Sequence, residues 1–329
     1  MDTVKLGILG AGKIASVMAA TVKALNASGD KSVKIGAVGS RQYDKALSFI
    51  QNNELEDCRP CAGYEELCAD PKISLIYVAT PHNFHREHAL LAIKHGKHVL
   101  VEKPFTVSYD EAQELFKAAE EKKVLITEAI WTRYQPMRQM IAAELSSGII
   151  GQPLMIHANL SYPISAKERI AKPELAGGAL LDLGVYAINF AVMFFGMPSS
   201  LEAFCHKNAS GVDMQENITL SWEDGRMASL QSSALVVGNR RGVIEGTKGF
   251  MEVDNINNPE RLRIYDCQYQ LLKTVERPPQ LTGFEYELRE CCECIRKGAL
   301  ECPSMPHNET LSIEGLMDSA RAQMGISFK

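Results

Sequence analysis

The segment Gly10-Ala11-Gly12-Lys13-Ile14-Ala15 constrains this chain more than any other. It follows the apolar run Val4-Lys5-Leu6-Gly7-Ile8-Leu9 directly and opens a stretch of helical periodicity. Glycine at position 10 permits a tight turn, glycine at 12 lets backbone approach a bound group, and the small Ala15 keeps the helix close to the strand. The unpaired N–H groups and the dipole at a helix start favour an anion. Strand, turn and helix in this order predict a dinucleotide pyrophosphate site, with Gly10, Gly12, Lys13 and Ile14 as its contacts.

The pattern around that turn predicts a doubly wound parallel sheet of the Rossmann type. Strand-like runs at Lys5–Gly10, Val33–Gly39, Leu75–Ala79, His98–Val101 and Val124–Glu128 alternate with helical runs at Ile14–Asn26, Asp44–Asn52, His85–His95 and Ser108–Lys122. Ser108 followed by Glu111 reads as a capping box. After residue 128 the alternation stops. A strand at Met155–Ser161 and a buried helix at Leu180–Phe195 precede strand candidates at Ser200–His206, Asn217–Trp222, Met227–Ala234, Arg241–Gly246, Gly249–Asp254 and Arg261–Tyr265. Strands in succession without crossover helices predict a large, mostly antiparallel open sheet. Helices are expected at Phe284–Lys297 and Thr310–Ile326. A length of 329 residues suits two domains: a dinucleotide-binding domain over 1–128, and an α+β domain over 129–329 for substrate and self-association.

Composition excludes several classes. The net charge of −5 provides no basic footprint for nucleic acid. The N-terminus reads as a strand and not as an export signal, and no apolar run was expected to reach the ~18 residues that span a bilayer. Nine scattered cysteines fit reduced thiols and a cytoplasmic location. Cys58 and Cys61 lack a second pair at zinc spacing, and Cys291, Cys292 and Cys294 are expected to point to different faces of a helix, so no metal site is expected.

The second strand selects the nucleotide. It ends in Ser40-Arg41, where NAD enzymes usually place a carboxylate, and Asp44 comes one helical turn too late. A hydroxyl and a guanidinium suit a 2′-phosphate, which favours NADP over NAD. Lys103 follows the strand His98–Val101, at the carboxyl end of a parallel sheet where ligands bind. An ammonium there can polarise a substrate oxygen and stabilise a developing alkoxide. Asp182 and Tyr186 stand i, i+4 on an apolar helix and share a face, and a carboxylate and a phenol so placed need polar partners.

Gly96-Lys97-His98-Val99-Leu100-Val101-Glu102-Lys103-Pro104, Glu128-Ala129-Ile130-Trp131-Thr132-Arg133-Tyr134-Gln135-Pro136 and Gly177-Gly178-Ala179-Leu180-Leu181-Asp182-Leu183-Gly184-Val185-Tyr186 resemble the Gfo/Idh/MocA family of glucose–fructose oxidoreductases and inositol dehydrogenases. Within it, Tyr186 and the Trp131 segment are most similar to the dimeric dihydrodiol dehydrogenase and NADP-dependent D-xylose dehydrogenase branch. The resemblance implies hydride transfer between the nicotinamide and a hydroxyl-bearing carbon of a sugar or trans-cyclic diol. Lys103, Asp182 and Tyr186 would form the catalytic group, meeting in a cleft between the two halves. It also implies that Thr80, Pro81, His85, Glu102 and Trp131 line the cofactor, and that Trp131, Arg133, Tyr162 and Arg169 reach the substrate. A homodimer or homotetramer through the second sheet is implied too. Two alternatives stay open: a glycoside-cleaving relative that works by transient oxidation, and a nucleotide-sensing relative without catalysis.

Overall fold

A computed structural model describes residues 3–328; residues 1, 2 and 329, at the outer ends of the two expected domains, lie outside that range. The chain forms two compact units, one of 1–131 with 280–311, the other of 132–279 with 312–329. The first crossing lies close to the expected boundary. The return of residues 280–311 to the first unit departs from the expected 129–329 domain.

The first unit holds a six-stranded sheet of β1 (Val4–Leu9), β2 (Val33–Ser40), β3 (Arg59–Ala62), β4 (Leu75–Val78), β5 (His98–Glu102) and β6 (Ile126–Ala129). The order is β3-β2-β1-β4-β5-β6 and every pair is parallel. The helices are α1 (Lys13–Ala27), α2 (Tyr43–Asn52), α3 (Tyr64–Ala69), α4 (His85–Lys94) and α5 (Tyr109–Lys122). The chain order reverses between β1 and β4, so their carboxyl ends form the crevice where such sheets take a ligand. At α5, Ser108 Oγ accepts from the Glu111 amide at 3.4 Å, while Glu111 Oε2 reaches back to the Val107 amide at 3.3 Å, one residue short of the usual reciprocal bond. The sequence reading omitted β3 and α3. β3 is a four-residue edge strand containing Pro60, and an edge tolerates a proline that a central strand interior would not.

Within the returning segment Glu285 accepts from the Leu281, Thr282 and Gly283 amides at 2.7, 3.0 and 2.6 Å. The segment is tied to the rest of the unit by Arg289, which pairs with Asp30 at 2.9 Å, and by the Thr282 hydroxyl, 2.7 Å from that of Thr21. Cys291, Cys292 and Cys294 are all buried, and Cys291 Sγ lies 3.8 Å from Cys302 Sγ. Burial pushes the Cys58 and Cys61 thiols up to about 12 and about 11, which keeps them protonated at neutral pH.

The second unit opens with α6 (Pro136–Ser146) and contains β7 (Pro153–Ser161), β8 (Ser200–Lys207), β9 (Asp213–Ser221), β10 (Met227–Ser233), β11 (Gly242–Gly246), β12 (Gly249–Val253), β13 (Arg261–Asp266) and β14 (Leu271–Glu276). The order is β14-β13-β12-β11-β7-β10-β9-β8, antiparallel except for β7 with β10. After the short α7 (Glu168–Ala171), a π-turn at Leu180–Gly184 runs into α8 (Val185–Phe195), which covers one face of this sheet. The stretch Pro173–Phe195, with a hydropathy of 1.7, is long and apolar enough to cross a bilayer, contrary to the expectation above. Its most apolar window is 89% buried inside the protein, as in a core helix. The remaining helices are α9 (Glu285–Lys297), in the returning segment, and α10 (His307–Met324).

Candidate active site

The glycine turn after β1 has the geometry its sequence requires. Gly10 has φ +109, and a Cβ there would come within 2.9 Å of the Ala79 carbonyl oxygen and 3.1 Å of Thr80 Cγ2. Gly12 caps α1 at φ −96, and a Cβ on it would meet nothing closer than 4.0 Å. No side chain caps this 15-residue helix, so its first amides point to whatever occupies the turn. Lys13 is exposed and Ile14 half-buried at its start, and Ala15 is fully buried against the sheet.

Ser40 ends β2, buried, with its carbonyl taken by the Gly63 amide at 2.9 Å. Arg41 is exposed beside it, and its charge is felt by Tyr64 and His88. His88 was not anticipated. Its Nδ1 lies 2.9 Å from Thr80 Oγ1, its ring meets Tyr64 edge-on at 4.5 Å, and Phe84 stacks at 5.7 Å. Burial, then the neighbouring His85 and Arg41, push the His88 ring down to about 4, so it is neutral. The spacing His85-x-x-His88 was the available signal, since i and i+3 are neighbours on a helix.

Three residues expected at the ligand bond within the scaffold. His85 is completely buried, with Nδ1 2.8 Å from the Pro104 carbonyl and Nε2 2.9 Å from the Thr80 carbonyl. It sits between the Thr80–Pro81 loop after β4 and the Lys103–Pro104 loop after β5; burial pushes its pKa down, and the neutral ring donates to one of the two carbonyls. Glu102, 7% exposed, accepts from the Tyr77 hydroxyl and, at 3.2 Å, from the Lys103 amide, so it braces the end of β5. Arg133 is 1% exposed, and its Nε donates to Asn189 Oδ1 at 2.8 Å, anchoring α8. In each case a polar group expected to line a ligand has a buried partner in the scaffold. Lys103 itself is half-buried at the strand end, ahead of a cis peptide to Pro104. Thr80 is half-buried, Pro81 is exposed, and Trp131 stacks on Phe284 at 4.2 Å.

In the second unit the structure joins two of the expected residues. Arg169 grips Asp182 bidentately, Nη1 to Oδ1 at 2.7 Å and Nη2 to Oδ2 at 3.1 Å, with the carboxylate almost fully buried. Tyr186 is 8% exposed on the first turn of α8. Tyr162 is bonded elsewhere, its hydroxyl 3.4 Å from Asn257 Oδ1 and from Arg240 Nη1. The acids Asp213 and Glu216, buried under the π-turn, were not anticipated either. Among the described residues no group of three or more His, Cys, Asp or Glu could hold a metal ion.

A dinucleotide fold with a lysine at a strand end and a second α+β unit defines a class of oxidoreductases. The description of the oxidoreductase family with an NAD-binding Rossmann fold matches residues 4–130, and that of the Gfo/Idh/MocA C-terminal domain matches 134–252. The chain belongs to the Gfo/Idh/MocA oxidoreductase family. It is 31% identical to trans-1,2-dihydrobenzene-1,2-diol dehydrogenase of Xenopus tropicalis, over 98% of this chain and 99% of the relative. It is 30% identical to D-xylose 1-dehydrogenase (NADP(+)) of Hypocrea jecorina, over 99% and 93%. A crystal structure of a 3-ketoreductase from Actinomadura kijaniata, with NADP and TDP-benzene, aligns with TM-score 0.87 and 25% identity over 98% of both chains.

Proposed function

We propose that this enzyme is an NADP-dependent dehydrogenase that transfers a hydride between nicotinamide and a hydroxyl-bearing carbon of an aldose or trans-cyclic diol. The observation that carries the reading is the placement of Lys103 at the carboxyl end of β5, on the same end of the sheet as the glycine turn at the β1/β4 switch point. The turn fits a dinucleotide, since the open space at Gly12 would be filled by any Cβ. Ser40 and Arg41 would hold the 2′-phosphate, Arg41 bidentately. When bound, the nicotinamide supplies or accepts the hydride.

The chain's own residues then handle the proton and the oxygen. Lys103 donates a hydrogen bond to the reacting oxygen and stabilises alkoxide character. Tyr186 takes or returns the hydroxyl proton. A phenol titrates near ~10, so this role requires that its pKa fall when substrate and nucleotide are bound. Asp182, fixed by Arg169, orients the substrate hydroxyls. Trp131 offers an apolar wall to a ring. The named activities of the relatives support this substrate class.

The reading includes self-association, as a homodimer or homotetramer, through the open face of the second sheet, where His157, Asn159, Gln231 and Arg241 border a hollow and Phe204 stands 72% exposed. It includes a cytoplasmic location, which suits nine free cysteines. The test is an absorbance screen of aldoses, inositols and cyclic diols with NADP and with NAD. Reduction of NADP by an aldose or trans-diol, lost in Tyr186→Phe, is the expected result. Full turnover by Tyr186→Phe removes the proton-transfer role, and turnover of a glycoside without net absorbance change favours the glycoside-cleaving alternative.

A further inference from the structure

We propose that Asp213 and Glu216, two carboxyl groups on β9 beneath the π-turn Leu180–Gly184, form a clamp that positions Asp182 and Tyr186 for the reaction. The proposal rests on the roles assigned to those two residues above.

The two acids bracket the turn. Asp213 Oδ2 accepts from the Leu180 amide, the first of the turn, at 2.7 Å. A Cβ on Gly178, at φ +122, would lie 2.2 Å from Asp213 Oδ1. Glu216 Oε1 accepts from the Ser232 hydroxyl on β10 and lies where a Cβ on Gly184, the last residue of the turn, would come within 2.1 Å. Asp182 is the middle residue of this five-residue turn, and Tyr186 follows two residues beyond its end. One acid therefore pulls on the turn's first amide while the other abuts its last residue. A π-turn is a rare, wide i→i+5 element, frequent at functional sites.

A β-bulge brings the two acids together. Glu216 pairs with Cys205 and Gln215 with His206, but Lys207 pairs with Asp213, which leaves Met214 as the extra residue. Regular alternation would send residues three apart to opposite faces. The bulge resets the phase, so both are buried, at 1% and 6% exposure. Burial raises the pKa of Asp213, and burial together with the Asp213 charge raises Glu216 well above the usual carboxyl range. Two buried carboxyls this close keep one proton between them. The ionisable groups on the packed elements are Glu202, Cys205, His206 and Lys207 on β8, Asp182 on the turn and Tyr186 on α8; β10 adds only the Ser232 hydroxyl. The clamp is intact while Glu216 holds its proton and weakens as pH rises through its raised pKa, when two like charges face each other under the turn.

The test compares Glu216→Leu with Glu216→Gln, which stays neutral and can still accept from Ser232. Turnover number, KM, NADP dissociation constant and thermal midpoint are measured for each. Glu216→Leu is expected to lower kcat by ~10- to 100-fold with NADP affinity unchanged, the size of loss that follows ångström-scale misplacement. Glu216→Gln is expected to recover most of that loss and to remove an alkaline fall in kcat that the wild type shows. Wild-type kcat in Glu216→Leu, while Tyr186→Phe is impaired, overturns the clamp and leaves the dehydrogenase reading standing. Equal impairment of the Leu and Gln variants, with no change in the alkaline limb, also overturns it. If Glu216→Leu does not fold, Gly184→Ala, which drives a methyl at Glu216, carries the same expectation, and wild-type kcat there overturns the clamp. Unimpaired Tyr186→Phe and Asp182→Asn refute the underlying assignment instead.

Discussion

Gly10 and Gly12 lie two residues apart in one turn, yet an added methyl should act on them through different physics. At Gly10 the backbone is at φ +109, and the methyl meets the Ala79 carbonyl oxygen at 2.9 Å and its carbon at 3.1 Å, neither of which can rotate away. Left-handed backbone costs a side-chain-bearing residue ~1–2 kcal/mol, and forced overpacking adds ~1–3 kcal/mol. Gly10→Ala should therefore destabilise the protein by ~2–5 kcal/mol, a fall in midpoint of roughly 4–20 °C for a unit of this size. At Gly12, φ is −96 and the nearest atom is 4.0 Å away, so Ala fits the free protein without strain. Its methyl instead fills the space a pyrophosphate would need above the first amides of α1. Loss of one charge-assisted hydrogen bond costs ~1.5–3 kcal/mol, so NADP should bind Gly12→Ala ~10- to 100-fold more weakly. Thermal unfolding without ligand, paired with titration of NADP against intrinsic fluorescence, separates the two. A Gly12→Ala protein that keeps both its midpoint and its NADP affinity would refute the placement of the dinucleotide at this turn.

Other substitutions test other parts of the argument. Arg169→Lys keeps the charge but loses the planar fork on Asp182, and kcat should fall by ~10-fold at unchanged NADP affinity; steady-state kinetics with direct nucleotide titration checks this. Glu287 is fully buried, both its oxygens lack a hydrogen-bond partner, and burial followed by the Glu102 charge raises its pKa well above the usual range. Glu287→Met should stabilise the fold at pH 8 by ~1–3 kcal/mol, with less gain as pH falls toward the ordinary carboxyl range; a lower midpoint at pH 8 contradicts this. His88 is depressed from 6.5 to about 4, so between those values the unfolded chain binds the extra proton and stability drops as pH falls through that window. His88→Asn should flatten that part of the stability–pH curve relative to wild type, as followed by denaturant midpoints.

The local code was legible wherever one short segment decides its own conformation. The glycine turn, the Ser108–Glu111 cap, the alternating strands and the shift to successive strands after residue 128 all depend on neighbours within a few residues. So did the presence of Lys103 just past a strand end, whereas Asp182 and Tyr186, expected on one helix, fall in the π-turn and on α8 that follows it. Contacts between distant segments were not legible. The return of residues 280–311 to the first unit depends on pairs such as Arg289 with Asp30, more than 250 positions apart. His85, Glu102 and Arg133 were expected at the ligand from their motifs, and only packing revealed their buried partners. The pairing of Arg169 with Asp182, and of Asp213 with Glu216 through a one-residue bulge, was likewise invisible to periodicity. Secondary structure follows from periods of two and of 3.6 residues, which one strand or helix carries within itself. A buried polar group must find its partner wherever the chain folds back, so that choice belongs to tertiary structure alone.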